Sequence, residues 1–178
     1  MKTIATLAFL TVFGAAVPAM AELSVGDTAP DFKTEAAMAG KTFDFDLKDA
    51  RAKGPVVLYF YPAAFTPGCT EEAHQFAEAI DDFQKLGATV VGVSADGIDK
   101  LKDFSVSECK EKFAVAADPD MHIIKEYDAV LDARPEFADR TSYVISPDGK
   151  ILLAHTDRNP NTHVAMTMDA VKQWHDSH

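Results

Sequence analysis

The sequence predicts a three-layer α/β fold, with helices on both faces of a single sheet. Strand-like and helix-like apolar patterns alternate along it, a glycine stands where the first long helix must stop, and a hairpin signal lies near its C-terminal end. After an N-terminal extended region, the apolar run Val56 to Tyr61 reads as a buried strand. Thr70 to Leu86 reads as a helix, with Phe76, Ile80 and Phe83 on one face and Gly87 at the C′ position. Thr89 to Ser94 is the next strand. A helix is expected from Asp99 to Lys112, with Leu101, Phe104 and Cys109 on its apolar side. Phe113 to Ala117 is a short strand and Met121 to Tyr127 a short helix. Thr141 to Ile145 and Lys150 to Thr156 flank Ser146-Pro147-Asp148-Gly149, a hairpin turning at Asp-Gly. Asn161 or Thr162 is placed to cap a last helix ending near His175.

Residues 1–21 stand apart from this pattern. Lys2, an apolar stretch from Thr3 to Val17, and Pro18-Ala19-Met20-Ala21 have the three-part form of a secretory signal peptide. The stretch is shorter than the roughly 20 residues that span a bilayer. Cleavage before Glu22, export to a bacterial periplasm and no membrane attachment afterwards are therefore expected. Residues 22–178 then form one domain. Losing Lys2 takes the net charge from −11 to −12, which argues against nucleic acid and anionic membranes as partners.

The chemistry concentrates in Phe60-Tyr61-Pro62-Ala63-Ala64-Phe65-Thr66-Pro67-Gly68-Cys69-Thr70-Glu71-Glu72. A strand, a Pro/Gly-rich bend and a helix start bring the Cys69 thiol to a helix N-terminus. Unpaired N–H groups and the macrodipole there favour a thiolate. The Thr66 hydroxyl can reach the same pocket, and the N–H groups of Gly68 and Cys69 can steady a departing oxygen anion. Pro62 offers no N–H and narrows the pocket, or simply ends the strand. Tyr61 and Phe65 are expected to wall it. Cysteine is also commonly a small buried hydrophobe.

The P-x-x-x-T-x-x-C arrangement of Pro62, Thr66 and Cys69 resembles the peroxidatic loop of the peroxiredoxins. Val25 to Phe32 resembles that family's N-terminal entry, and Arg140-Thr141-Ser142-Tyr143-Val144-Ile145 its late strand, opened by an arginine. T-P-G-C-T-E-E-A resembles the Q-type (bacterioferritin comigratory protein-like) subfamily, while A-F-T-P-G-C also resembles the atypical five-type enzymes. The resemblance implies a thioredoxin-like fold with a central mixed sheet. It implies a peroxidase in which Cys69 attacks hydrogen peroxide or a small organic hydroperoxide and becomes a sulfenic acid. Arg140 is the guanidinium it points to, with Arg134 and Arg158 as other candidates. Glu72 is placed to orient that arginine, or is an exposed helix carboxylate.

In the subfamily a resolving cysteine lies either five residues after the first, which here is His74, or on the later helix, where Cys109 stands. Cys109 is thus the candidate for an intramolecular disulfide with Cys69. The alternatives are an inert buried thiol, a thiol pairing between subunits, a one-cysteine peroxidase served by an external thiol, and a non-catalytic protein with a structural disulfide. A thioredoxin- or glutaredoxin-like dithiol is the implied reductant. In an oxidising compartment its electrons must come across the membrane. The six histidines show no metal-ligand spacing, C-x-x-C is absent and no phosphate loop occurs, so no metal, nucleotide, haem or flavin is expected.

Overall fold

The computed structural model describes residues 23–178, so the expected leader and its cleavage point lie outside the described residues. A hairpin, β1 (Lys33–Met38) and β2 (Lys41–Asp46), leads into α1 (Leu47–Arg51). Then come β3 (Val56–Phe60), α2 (Pro67–Lys85), β4 (Thr89–Ser94), α3 (Ile98–Ser107), β5 (Ala114–Ala117) and α4 (His122–Glu126). The chain closes with β6 (Thr141–Ile145), β7 (Ile151–Thr156), a 3₁₀ turn (Pro160–Thr162) and α5 (His163–Asp176). The strands form one mixed sheet in the order β2-β1-β5-β4-β3-β6-β7. β3 runs parallel to β4 and antiparallel to β6, and β4 runs parallel to β5. This is the thioredoxin-like α/β architecture.

β3 is apolar on both faces because both are covered. Val56, Leu58 and Phe60 pack with Phe32, Leu47, Ile124 and Tyr127 beneath the N-terminal segment, α1 and α4. Val57, Tyr59 and Tyr61 pack with Phe76, Phe83, Leu101, Phe104 and Val171 of α2, α3 and α5. The second layer contains both cysteines.

Three sequence expectations change. The N-terminal region is no mere extension: β1 and β2 pair in full register from Lys33↔Asp46 to Met38↔Lys41, and β1 adds antiparallel to β5. The first long helix starts at Pro67, three residues before Thr70, because proline suits the first helical position. α3 stops at Ser107, so Cys109 is not on a helix. Its N–H reaches back to the Phe104 carbonyl (3.1 Å), and Lys110 and Glu111 follow with φ of +53° and +62°. Two consecutive left-handed residues cannot continue a right-handed helix. The 3₁₀ turn ahead of the last helix is capped by Asn159, whose side chain accepts from the Asn161 N–H (3.1 Å), while Thr162 holds the expected N-cap position of α5 without a side-chain cap bond. Gly87, at φ +73° just past α2, fills the expected C′ position.

Candidate active site

The bend after β3 is held from two sides. Tyr61 N–H extends the β3–β4 ladder to the Val93 carbonyl (3.1 Å). The Ala64 N–H donates to Asp96 Oδ2 (2.7 Å), whose carboxylate also accepts from Ser94 Oγ and Lys100 Nζ. Phe65 takes φ +66°, a sparsely populated conformation for a non-glycine residue, and rests edge-on against Phe104 with ring centroids 5.2 Å apart. Thr66 then opens α2. The first helical bond runs from the Thr70 N–H to the Thr66 carbonyl (2.9 Å), so the N–H groups of Gly68 and Cys69 precede the ladder.

Cys69 is 2% exposed and its thiol is free. Arg140, at the start of β6, places Nη2 3.6 Å from Cys69 Sγ and donates Nη1 to Glu72 Oε2. A Cβ at position 68 would stand 3.1 Å from Arg140 Nη2, so glycine there lets the guanidinium reach the sulfur. Glu72 is fully buried, which overturns the exposed-carboxylate alternative. Burial pushes its carboxyl up to about 8, against the opposing pull of Arg140. One guanidinium thus faces both the cysteine sulfur and this carboxylate.

The remaining Glu72 oxygen, Oε1, has no hydrogen bond and stands 3.7 Å from His163 Nδ1 at the start of α5. His163 Nε2 donates to the Asp157 carbonyl (2.8 Å), so Nδ1 is the acceptor of a hydrogen bond donated by the Ser142 hydroxyl (2.8 Å). Burial lowers His163 to about 4, so it stays neutral at pH 7. Nothing local in the sequence pointed to His163. It meets Glu72 only through packing of α2 against α5, 91 residues on.

The other expected residues fall as follows. Thr66 is exposed, and its hydroxyl donates to the Ala63 carbonyl (2.9 Å) instead of capping α2. Pro62 and Arg140 share the wall of a cavity with Arg134 and Arg158, which lie farther out. Tyr61 is fully buried, stacked on Phe104 at 5.6 Å. Phe65 is 45% exposed. Cys109 is fully buried with a free thiol, and burial pushes that thiol well above its ordinary range. No disulfide joins Cys69 and Cys109 in this structure. His74, at the alternative position, instead pairs with Glu108 (2.8 Å) and ties α2 to the turn carrying Cys109.

Among the described residues no group of three or more His, Cys, Asp or Glu side chains could hold a metal ion. No helix among them is long and apolar enough to cross a membrane.

Residues 25–154 match the model of the AhpC/TSA family. Peroxiredoxin Q, chloroplastic, of Sedum lineare is 33% identical over 150 residues, covering 83% of this chain and 77% of that protein. Peroxiredoxin Q, chloroplastic, of Populus jackii is 34% identical, covering 83% and 68%. Among solved structures, peroxidoxin BcpB from Mycobacterium tuberculosis superposes with a TM-score of 0.78 at 26% identity, covering 85% of this chain and 98% of that one. Six relatives 31–34% identical to this chain are named as chloroplastic proteins. That overturns the export and periplasmic location expected from residues 1–21.

Proposed function

Because the chain belongs to the AhpC/TSA family, as a peroxiredoxin of the Q type, we propose that Cys69 is its peroxidatic cysteine and Cys109 the residue that resolves it. The chain is a thiol-dependent peroxidase, with a hydroperoxide as substrate and a thiol partner as reductant. The observation that supports Cys69 is the 3.6 Å contact from Arg140 Nη2 to its sulfur, made beside two unpaired N–H groups at the start of α2.

The Cys69 thiolate attacks the terminal oxygen of ROOH. The S–O bond forms as the O–O bond breaks, and the alkoxide leaves with the electron pair and takes a proton to become ROH. Arg140 and the Gly68 and Cys69 N–H groups stabilise the departing oxygen. Glu72 fixes the guanidinium that does so. Pro62 shields the sulfur, and Thr66, its proton committed to the Ala63 carbonyl, acts only as an acceptor. The Cys109 sulfur then displaces hydroxide from the sulfenic acid, giving a disulfide and water. A thioredoxin- or glutaredoxin-like dithiol returns two electrons.

The depth of Cys109 and its raised thiol favour a second reading, in which an external thiol attacks the sulfenic acid directly. Stopped-flow oxidation of the reduced protein by hydrogen peroxide tests the assignment of Cys69. Cys69→Ser should consume none, whereas Cys109→Ser should still give the fast first oxidation. Peroxide consumption by Cys69→Ser would overturn the assignment.

A further inference from the structure

Just outside Arg140 lies a cavity of about 320 Å³, and its wall does not follow the charge of the chain. The protein carries a net −11, yet three of the lining residues are Arg134, Arg140 and Arg158, opposed by Asp139 alone. Arg140 is already engaged by Glu72 and the Cys69 sulfur. The free positive charge therefore belongs to the two outer arginines. Pro62 and Leu131 supply an apolar part of the same wall.

The outer arginines are held in place by backbone. The loop carrying Arg134 is closed by the Val130↔Ala138 bridge and by bonds from the Leu131 N–H to the Phe137 carbonyl (3.0 Å) and the Arg134 N–H to the Leu131 carbonyl (2.9 Å). The Arg134 guanidinium lies 4.3 Å from the centre of the Phe137 ring. Its one ion pair, to Glu136 at 3.4 Å, joins two side chains more than half exposed, and such pairs neutralise little in water. Arg158 follows Asp157, whose N–H is anchored to the Arg140 carbonyl (3.2 Å). Asp139 spends one carboxylate oxygen on the Arg140 N–H (2.8 Å), while Asp132 and Glu136 do not line the cavity.

We propose that this cavity is a carboxylate site: Arg134 and Arg158 bind the acid group of an organic hydroperoxide while its apolar body lies along Pro62 and Leu131 and its peroxide end reaches Cys69. Guanidinium groups match carboxylates in charge and fork geometry, and a cationic mouth raises the encounter rate with anions. Hydrogen peroxide, neutral and small, gains nothing from the outer pair. The site rests on Cys69 being the peroxidatic residue, and it selects among hydroperoxides rather than creating the reaction.

Stopped-flow oxidation of the reduced full chain tests it, comparing cumene hydroperoxide with its para-carboxylate and with hydrogen peroxide. The carboxylate should react faster than the neutral analogue by about tenfold at low salt, and sodium chloride should shrink the advantage. In an R134Q/R158Q double variant the ratio of the two rates should fall to near one. Equal rates in the unmodified protein, or a ratio that survives in the double variant, would overturn the carboxylate site while hydrogen peroxide still oxidises Cys69. Failure of all three peroxides would overturn the Cys69 reading and the site with it.

Discussion

Gly68 and Glu72 show how single residues set the chemistry of Cys69. A methyl group at position 68 would crowd Arg140 Nη2 at 3.1 Å, although alanine is the better helix former by about 1 kcal/mol. Gly68→Ala should therefore slow oxidation several-fold while leaving stability equal or higher, as read by stopped-flow and urea denaturation of the same sample. Arg140→Ala removes the guanidinium outright and should cost about 10²–10³-fold in oxidation rate. Glu72 carries a sign that can be checked. Its carboxyl moves from 4.5 up to about 8, so between those values the folded protein keeps a proton that the unfolded chain releases. That contribution to stability is complete below pH 4.5 and is lost as pH rises through 8. His163, lowered from 6.5 to about 4, acts in the opposite sense, its contribution vanishing as pH falls from 6.5 to 4. The two oppose each other in acid and leave a decline from pH 6.5 to 8 that belongs to Glu72. Glu72→Gln should flatten that limb in urea denaturation, and an unchanged limb would contradict a protonated Glu72. Local order in the chain exposed Cys69, Thr66 and Gly68, because a helix start is written in neighbouring residues. The burial of Glu72 and its approach to His163 come from packing between distant helices, which no local pattern carries.

The end of α3 is the element on which resolution turns. The apolar spacing of Leu101, Phe104 and Cys109 suggested one continuous helix, but spacing does not reveal where the backbone turns left-handed. Lys110 and Glu111 do so in succession, at a cost of about 1–2 kcal/mol each for a residue with a Cβ. The turn is held by the Cys109 N–H to Phe104 bond, the Glu111 N–H to Ser105 bond (3.0 Å) and the His74–Glu108 pair. A disulfide needs Cα atoms about 4.4–6.8 Å apart. Cys69 lies in the first turn of α2 and Cys109 past the end of α3, within one packed layer, and we propose that the disulfide closes by local opening of one or both segments. Amide exchange in the disulfide form should therefore be faster across residues 66–74 and 105–112 than in the reduced form, with the sheet unchanged. Equal protection in both forms would mean that the two cysteines do not join.

Across the whole molecule, the sheet fixes what the ends may do. β3 is an inner strand next to the middle one, its five residues wholly buried, and the reactive bend leaves its C-terminal end beside that of β4 and the start of β6, which brings Arg140 back to Cys69. Truncating the buried face of α2 should act on stability before chemistry: Phe83→Ala should cost about 3–5 kcal/mol, measured by urea denaturation. The alternation of strand and helix from Val56 onward was legible because each central strand is a continuous apolar run. The β1–β2 hairpin was not, since β2 is largely exposed and its Lys41-Thr42-Phe43-Asp44-Phe45-Asp46 pattern is short. Strand order, and hence the meeting of Arg140 with Cys69, is a property of the sheet rather than of any segment. The measurement that bears most directly on the paired-cysteine account is a titration of the reduced protein with hydrogen peroxide, counting free thiols and mapping disulfides by peptide mass. The account predicts two thiols lost for each peroxide consumed and a Cys69–Cys109 cross-link within one chain. A single thiol lost per peroxide, with Cys109 still free, would contradict it.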